Sequence, residues 1–118
     1  MRVARFSEFG GPEKLRIEEI PDPTPGEGEI VICVAAVGLN FFDTLVLRNR
    51  YQVTPKLPHS PGAEVAGTVE AIGPGVSSLQ PGQRVVAFTG GNGAQEKVAT
   101  RASNAVPIQR SPSSWAGT

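Results

Sequence analysis

Few residues in this 118-residue chain could do chemistry, and they are quickly named. Cys33 is the single cysteine, so no internal disulfide can form, and it sits inside an apolar run where small thiols are usually buried and inert. His59 is the single histidine; its imidazole could move a proton near neutrality, but Pro58-His59-Ser60-Pro61 reads as a solvated loop, which leaves it outside the expected site. Asn40 and Asp43 stand three apart at the head of an apolar run, the spacing of a helix cap and a first-turn carboxylate. Phe88-Thr89-Gly90-Gly91-Asn92-Gly93 follows a strand pattern but lacks the third glycine of a phosphate-cradling turn, and no helix pattern follows. It reads as a loop, so the chain has no diphosphate anchor of its own.

The elements that must position these residues are mostly strands. Residues from Arg2 to Ser7 and from Lys14 to Glu18 alternate in polarity, as half-buried strands do, with Gly10-Gly11-Pro12 as the turn between them. Three prolines in Pro21–Gly28 lack a backbone N–H and predict an extended surface loop. Glu29–Val37 is apolar on both faces, which predicts a central strand covered on both sides. A short helix is expected from Asn40 through Val46, stopping near Asn49-Arg50. Strands are expected at Ala63–Ile72, Arg84–Phe88, Gln95–Thr100 and Asn104–Ile108. Gly67 marks a bulge or a close backbone approach. Fourteen glycines and eleven prolines then serve as turns, and the fold class is mainly β: a partly open β-barrel with one or two short helices. Residues 109–118 read as an irregular tail.

Eleven basic and eleven acidic residues cancel, so there is no charge excess to hold nucleic acid or an anionic membrane. No apolar stretch is long enough to span a bilayer, and no secretory core follows Met1. The expectation is a cytoplasmic chain with neither of those partners.

Three motifs, in order, resemble the medium-chain dehydrogenase/reductase superfamily, in particular its zinc-free quinone oxidoreductase (zeta-crystallin-like) branch. They are Gly38-Leu39-Asn40-Phe41-Phe42-Asp43-Thr44 with Arg48 and Tyr51, Pro61-Gly62-Ala63-Glu64-Val65-Ala66-Gly67-Thr68-Val69, and Glu70-Ala71-Ile72-Gly73-Pro74-Gly75-Val76 leading to Pro81-Gly82-Gln83-Arg84-Val85. The likeness runs from Met1 to about Ile108. It implies a GroES-like catalytic domain over residues 1–108, without the Rossmann domain that holds most of the cofactor.

Zinc-dependent members carry a cysteine and a histidine where this chain has Asn40 and Ala63, and neither an amide nor a methyl group is a useful zinc ligand. A four-cysteine structural zinc site is excluded by the single thiol. The resemblance therefore implies reduction of a quinone or enone by hydride from NADPH, with no metal. It implies that Asn40 contacts the nicotinamide or its ribose, and that Asp43 fixes the nearby loop or bonds a donor there. It further implies that Tyr51 offers a hydroxyl to a developing oxyanion and that Phe41, Phe42 and Tyr51 line the substrate cleft. The isolated chain is expected not to turn over, and homo-oligomerisation of a full-length form is left open. A non-catalytic binding or regulatory module with the same barrel is the alternative reading. Departures from the family pattern are Leu45 for a second tyrosine, Asn49 for a glycine, and Gly93-Ala94-Gln95-Glu96-Lys97 for Gly-aromatic-Ala-Glu-Tyr. Asparagine tolerates positive φ, so the turn at Asn49 should survive.

Overall fold

The computed structural model describes residues 1–50 and 54–108, apart from the side chains of Phe41 and Phe42. Its elements are β1 (Arg2–Arg5), β2 (Arg16–Glu19), β3 (Glu29–Gly38), α1 (Phe41–Leu47), β4 (Glu64–Ile72), β5 (Arg84–Phe88), β6 (Lys97–Arg101) and β7 (Ala105–Pro107). Short 3-10 turns at Pro12–Lys14 and Ala102–Asn104 join them. No helix among the described residues is long and apolar enough to cross a membrane.

β1 and β2 form one antiparallel pair, and the other strands form a five-stranded antiparallel sheet in the order β6-β3-β4-β5-β7. Strands β6 and β7 remain as edges, so the barrel is open, as the sequence predicts. Ile30, Ile32, Val65, Val69, Leu79, Val85, Ala87 and Val98 build the core. Each fully buried valine, leucine or isoleucine side chain among them contributes about 1.5–3 kcal/mol.

β3 is an interior strand, between β6 and β4, but its cover is uneven. Ile30, Val31 and Ile32 are buried, whereas Ala35 to Gly38 are exposed. The expectation of a strand covered along both faces is thus corrected. Pairing with β6 stops at Cys33 opposite Lys97, and past that point the Val34 N–H donates to the Glu96 carbonyl at 2.9 Å.

Cys33 is also not the buried core thiol the sequence suggests. It is half-exposed, with Sγ 3.4 Å from Glu70 Oε1. The outer face there holds ion pairs instead of apolar cover: Lys97 Nζ reaches Asp22 at 2.9 Å and Glu70 at 3.1 Å. Desolvation, and then the Glu70 carboxylate, push the thiol pKa up.

The signal at Gly67 is explained by close approach. A Cβ there would stand 2.0 Å from the Cys33 carbonyl oxygen, and the register of the facing strand shifts between Val34 and Ala36. The bulge falls on β3, and Gly67 is what lets β4 lie against it.

Candidate active site

The end of β3 delivers the chain into α1 through Asn40, whose extended backbone (φ −120°, ψ 167°) makes it the N-cap residue. Its N–H donates to Asp43 Oδ2 at 2.8 Å, and the Asp43 N–H donates back to the Asn40 carbonyl at 2.9 Å. Such reciprocal bonding satisfies donors that the first helical turn leaves open. Asp43 is 8% exposed, and its other oxygen, Oδ1, accepts the N–H of Gly62 at 3.1 Å. A buried carboxylate is tolerable because both oxygens receive N–H donors.

Gly62 holds a φ of +98°, and a Cβ there would stand 2.5 Å from Val37 Cγ2. Only glycine meets both demands without strain. From this residue the network runs on. The Gly93 N–H donates to the Gly62 carbonyl at 2.8 Å, Ala94 to Pro61 at 2.9 Å, and Asn92 to Ser60 at 2.7 Å. Helix start, the 60–62 loop and the 92–94 loop are therefore tied into one rigid corner.

The far end of α1 is closed as the sequence allows. Asn49 sits at φ +57°, with its N–H on the Val46 carbonyl at 3.0 Å and the Arg50 N–H on Leu45 at 2.7 Å, the bond pair of a Schellman cap.

Asn40 and Asp43 are thus brought together, with Asn40 exposed and Asp43 enclosed. Tyr51 and the side chains of Phe41 and Phe42 lie outside the described residues. Ala63, in the position where relatives with zinc place histidine, is fully buried, and its methyl group belongs to the core. Among the described residues no group of three or more His, Cys, Asp or Glu could hold a metal.

His59 is corrected from a solvated position to a half-buried one. Phe6, just past the end of β1, bridges its loop: His59 and Phe6 exchange both backbone hydrogen bonds at 2.9 Å, and the rings meet edge-on with centroids 5.7 Å apart. Burial lowers the imidazole pKa, and the negative Asp43 opposes that shift.

Two residues of this corner escaped sequence reasoning as site residues. Gly62 could have been found from its place two residues before β4, beside Pro61. Ser60 carried no signal; its hydroxyl is buried and has no hydrogen-bond partner among the described residues.

A groove of about 440 Å³ runs between β1 and the uncovered part of β3, lined by Val3, Ile17, Val34, Val37, Ala94 and Gln95 among others. The small side chain of Ala94, where an aromatic is expected, leaves this wall low.

A family model of the alcohol dehydrogenase GroES-like domain matches residues 26–111. The quinone oxidoreductase of Lama guanicoe is 39% identical over 107 residues, covering 90% of this chain and 32% of the relative. The synaptic vesicle membrane protein VAT-1 homolog-like of Mus musculus is 42% identical over 100 residues, covering 85% and 24%. Among solved structures, Escherichia coli quinone oxidoreductase complexed with NADPH superposes with a TM-score of 0.87 at 32% identity, over 92% of this chain and 33% of that one. The human VAT-1 homolog-like protein gives 0.90 at 39% identity, over 96% and 37%. The chain spans about a third or less of the length of the curated relatives it matches. With an open antiparallel barrel, a helix capped at Asn40 and these likenesses together, the chain belongs to the alcohol dehydrogenase GroES-like domain family, in the quinone oxidoreductase branch of the medium-chain dehydrogenase/reductase superfamily.

Proposed function

We propose that residues 1–108 are the N-terminal catalytic-domain portion of an NADPH-dependent reductase of quinones or activated alkenes, working without zinc and not turning over alone. The observation that carries this reading is the rigid Asn40–Asp43–Gly62 corner in a chain 39% identical to a quinone oxidoreductase over 107 residues. When bound, the cofactor supplies the hydride.

The residues present suit one end of that cofactor. The exposed Asn40 offers an amide, both donor and acceptor, suited to a carboxamide or a ribose hydroxyl. Asp43 acts through Asn40 and Gly62 by holding the corner in place, since its oxygens are taken by their N–H groups. Phe41, Phe42 and Tyr51 are assigned to the substrate cleft, Tyr51 as the hydroxyl that meets developing negative charge. Nothing among the described residues forms a glycine-rich turn opening a long helix, so the diphosphate needs a Rossmann domain from elsewhere.

Calorimetry of the isolated chain with NADPH tests the assignment. No micromolar binding is expected, whereas the chain joined in frame to a quinone oxidoreductase nucleotide domain should bind NADPH and reduce a quinone. Asn40→Ala in that fusion should weaken NADPH. Tight binding by the chain alone, or an indifferent Asn40→Ala, would overturn it. The second reading is a non-catalytic binding or regulatory module with the same barrel. Persistent association with a full-length relative, with no activity in the fusion, would select it.

A further inference from the structure

The glycine-rich turn after β5 contains the one Asn-Gly pair of the chain, Asn92-Gly93; the other asparagines precede Phe41, Arg50 and Ala105. A glycine that follows asparagine has no Cβ to keep its backbone nitrogen away from the side-chain amide. The reaction this pair can undergo needs only solvent. The Gly93 nitrogen loses its proton and attacks Asn92 Cγ, a C–N bond forms, the Cγ–Nδ2 bond breaks, and ammonia leaves with that proton. Water then opens the cyclic imide at either carbonyl, giving aspartate or isoaspartate, and nothing is oxidised or reduced.

The fold exposes the electrophile and locks the nucleophile. Asn92 is exposed, at φ +62°, so water reaches its side chain. Gly93 is buried, and its N–H donates to the Gly62 carbonyl at 2.8 Å. A Cβ on Gly93 would stand 2.6 Å from that same oxygen and 2.8 Å from Val65 Cγ1, so this peptide has no room to turn toward the side chain while the corner is closed. The Asn92 N–H on Ser60 and the Ala94 N–H on Pro61 hold it from both sides. Asp43 in turn keeps Gly62 in place through its N–H at 3.1 Å. Attack therefore requires the corner to open locally. Once isoaspartate has formed, the main chain runs through Cβ and gains an extra carbon between residues 92 and 93. The N–H groups of Asn92, Gly93 and Ala94 then cannot all meet Ser60, Gly62 and Pro61, and the opened corner stays open.

We propose that Asn92-Gly93 is a deamidation site gated by the Gly62 corner, kept intact while Asp43 holds Gly62 and converted one way when that clip opens. The test incubates the 118-residue chain in mildly alkaline buffer. The tryptic peptide from Val85 to Lys97 is then followed by mass spectrometry for the mass gain of deamidation, and by isoaspartyl methyltransferase labelling. Conversion should be at least about tenfold slower than in the same peptide free in solution, and Asp43→Ala should recover most of that difference. Gly67→Ala, which weakens the fold at the contact of β3 with β4 and away from the turn, should not. Circular dichroism establishes that each variant is folded, and Asp43→Asn replaces Asp43→Ala if the latter unfolds. The proposal is overturned if Asn92 converts as fast in the native chain as in the free peptide, or no faster in the Asp43 variant than in wild type. It is equally overturned if Gly67→Ala accelerates conversion as much as the Asp43 variant does, since global unfolding would then be the gate.

Discussion

Asp43 Oδ1 accepts the backbone N–H of Gly62 at 3.1 Å, joining the first turn of α1 to the loop before β4 across nineteen residues of chain. The same carboxylate holds the Asn40 N–H through its second oxygen. One side chain thereby fixes where the exposed Asn40 stands relative to the sheet.

Removing that carboxylate should be costly. Asp43→Ala strands two N–H groups and should lower stability by about 2–4 kcal/mol, while Asp43→Asn, which keeps one acceptor, should lose about half as much. Urea unfolding followed by circular dichroism measures both. Equal midpoints for the wild type and Asp43→Ala would show that the clip contributes nothing.

Glycines of this chain should differ sharply in tolerance. Gly67→Ala places a methyl 2.0 Å from the Cys33 carbonyl and should destabilise by at least about 2 kcal/mol. Gly38→Ala meets nothing nearer than 3.6 Å and should stay within about 0.5 kcal/mol of wild type. Thermal melts of the two variants decide the matter, and similar losses in both would contradict the packing described for β3 and β4.

Acid should weaken the fold through His59. Burial lowers its folded-state pKa, so the unfolded chain takes up the proton first and binds more protons as pH falls. The contribution of the neutral imidazole is complete above the unfolded pKa of about 6.5 and is lost progressively below it, until the folded form also titrates. His59→Phe should flatten stability against pH over that window. An unchanged slope would mean that the ring is not held in a desolvating site.

At the helix exit, Asn49 occupies the left-handed region at φ +57°. Asn49→Gly should be neutral or slightly stabilising, and Asn49→Val should cost about 1–2 kcal/mol because a β-branched side chain crowds its own carbonyl there. Chemical unfolding of the pair resolves the difference. Equal stability would argue against the cap geometry.

Much of this architecture was legible in residue order. Glu64–Ile72 and Arg84–Phe88 alternate between faces as the sheet requires, and the Asn40-to-Asp43 spacing announces the helix start. The substitution of Asn49 for glycine was readable because asparagine is among the few residues that accept positive φ. Local conformational preference decided each of these, and such preference is written into a few neighbouring residues.

What the sequence by itself determined is therefore the set of strands, the turns and the helix cap, together with the absence of a cysteine-histidine zinc set. Tertiary structure decided which faces are covered. Cys33 lies on a charged outer face because Lys97 and Glu70 arrive from β6 and β4, and His59 is half-buried because Phe6, just past β1, bridges its loop and packs on its ring. Asp43 serves Gly62 as well as its own helix for the same reason. Burial and hydrogen-bond partnership depend on groups brought close in space by packing, and no local pattern encodes which distant residue will arrive.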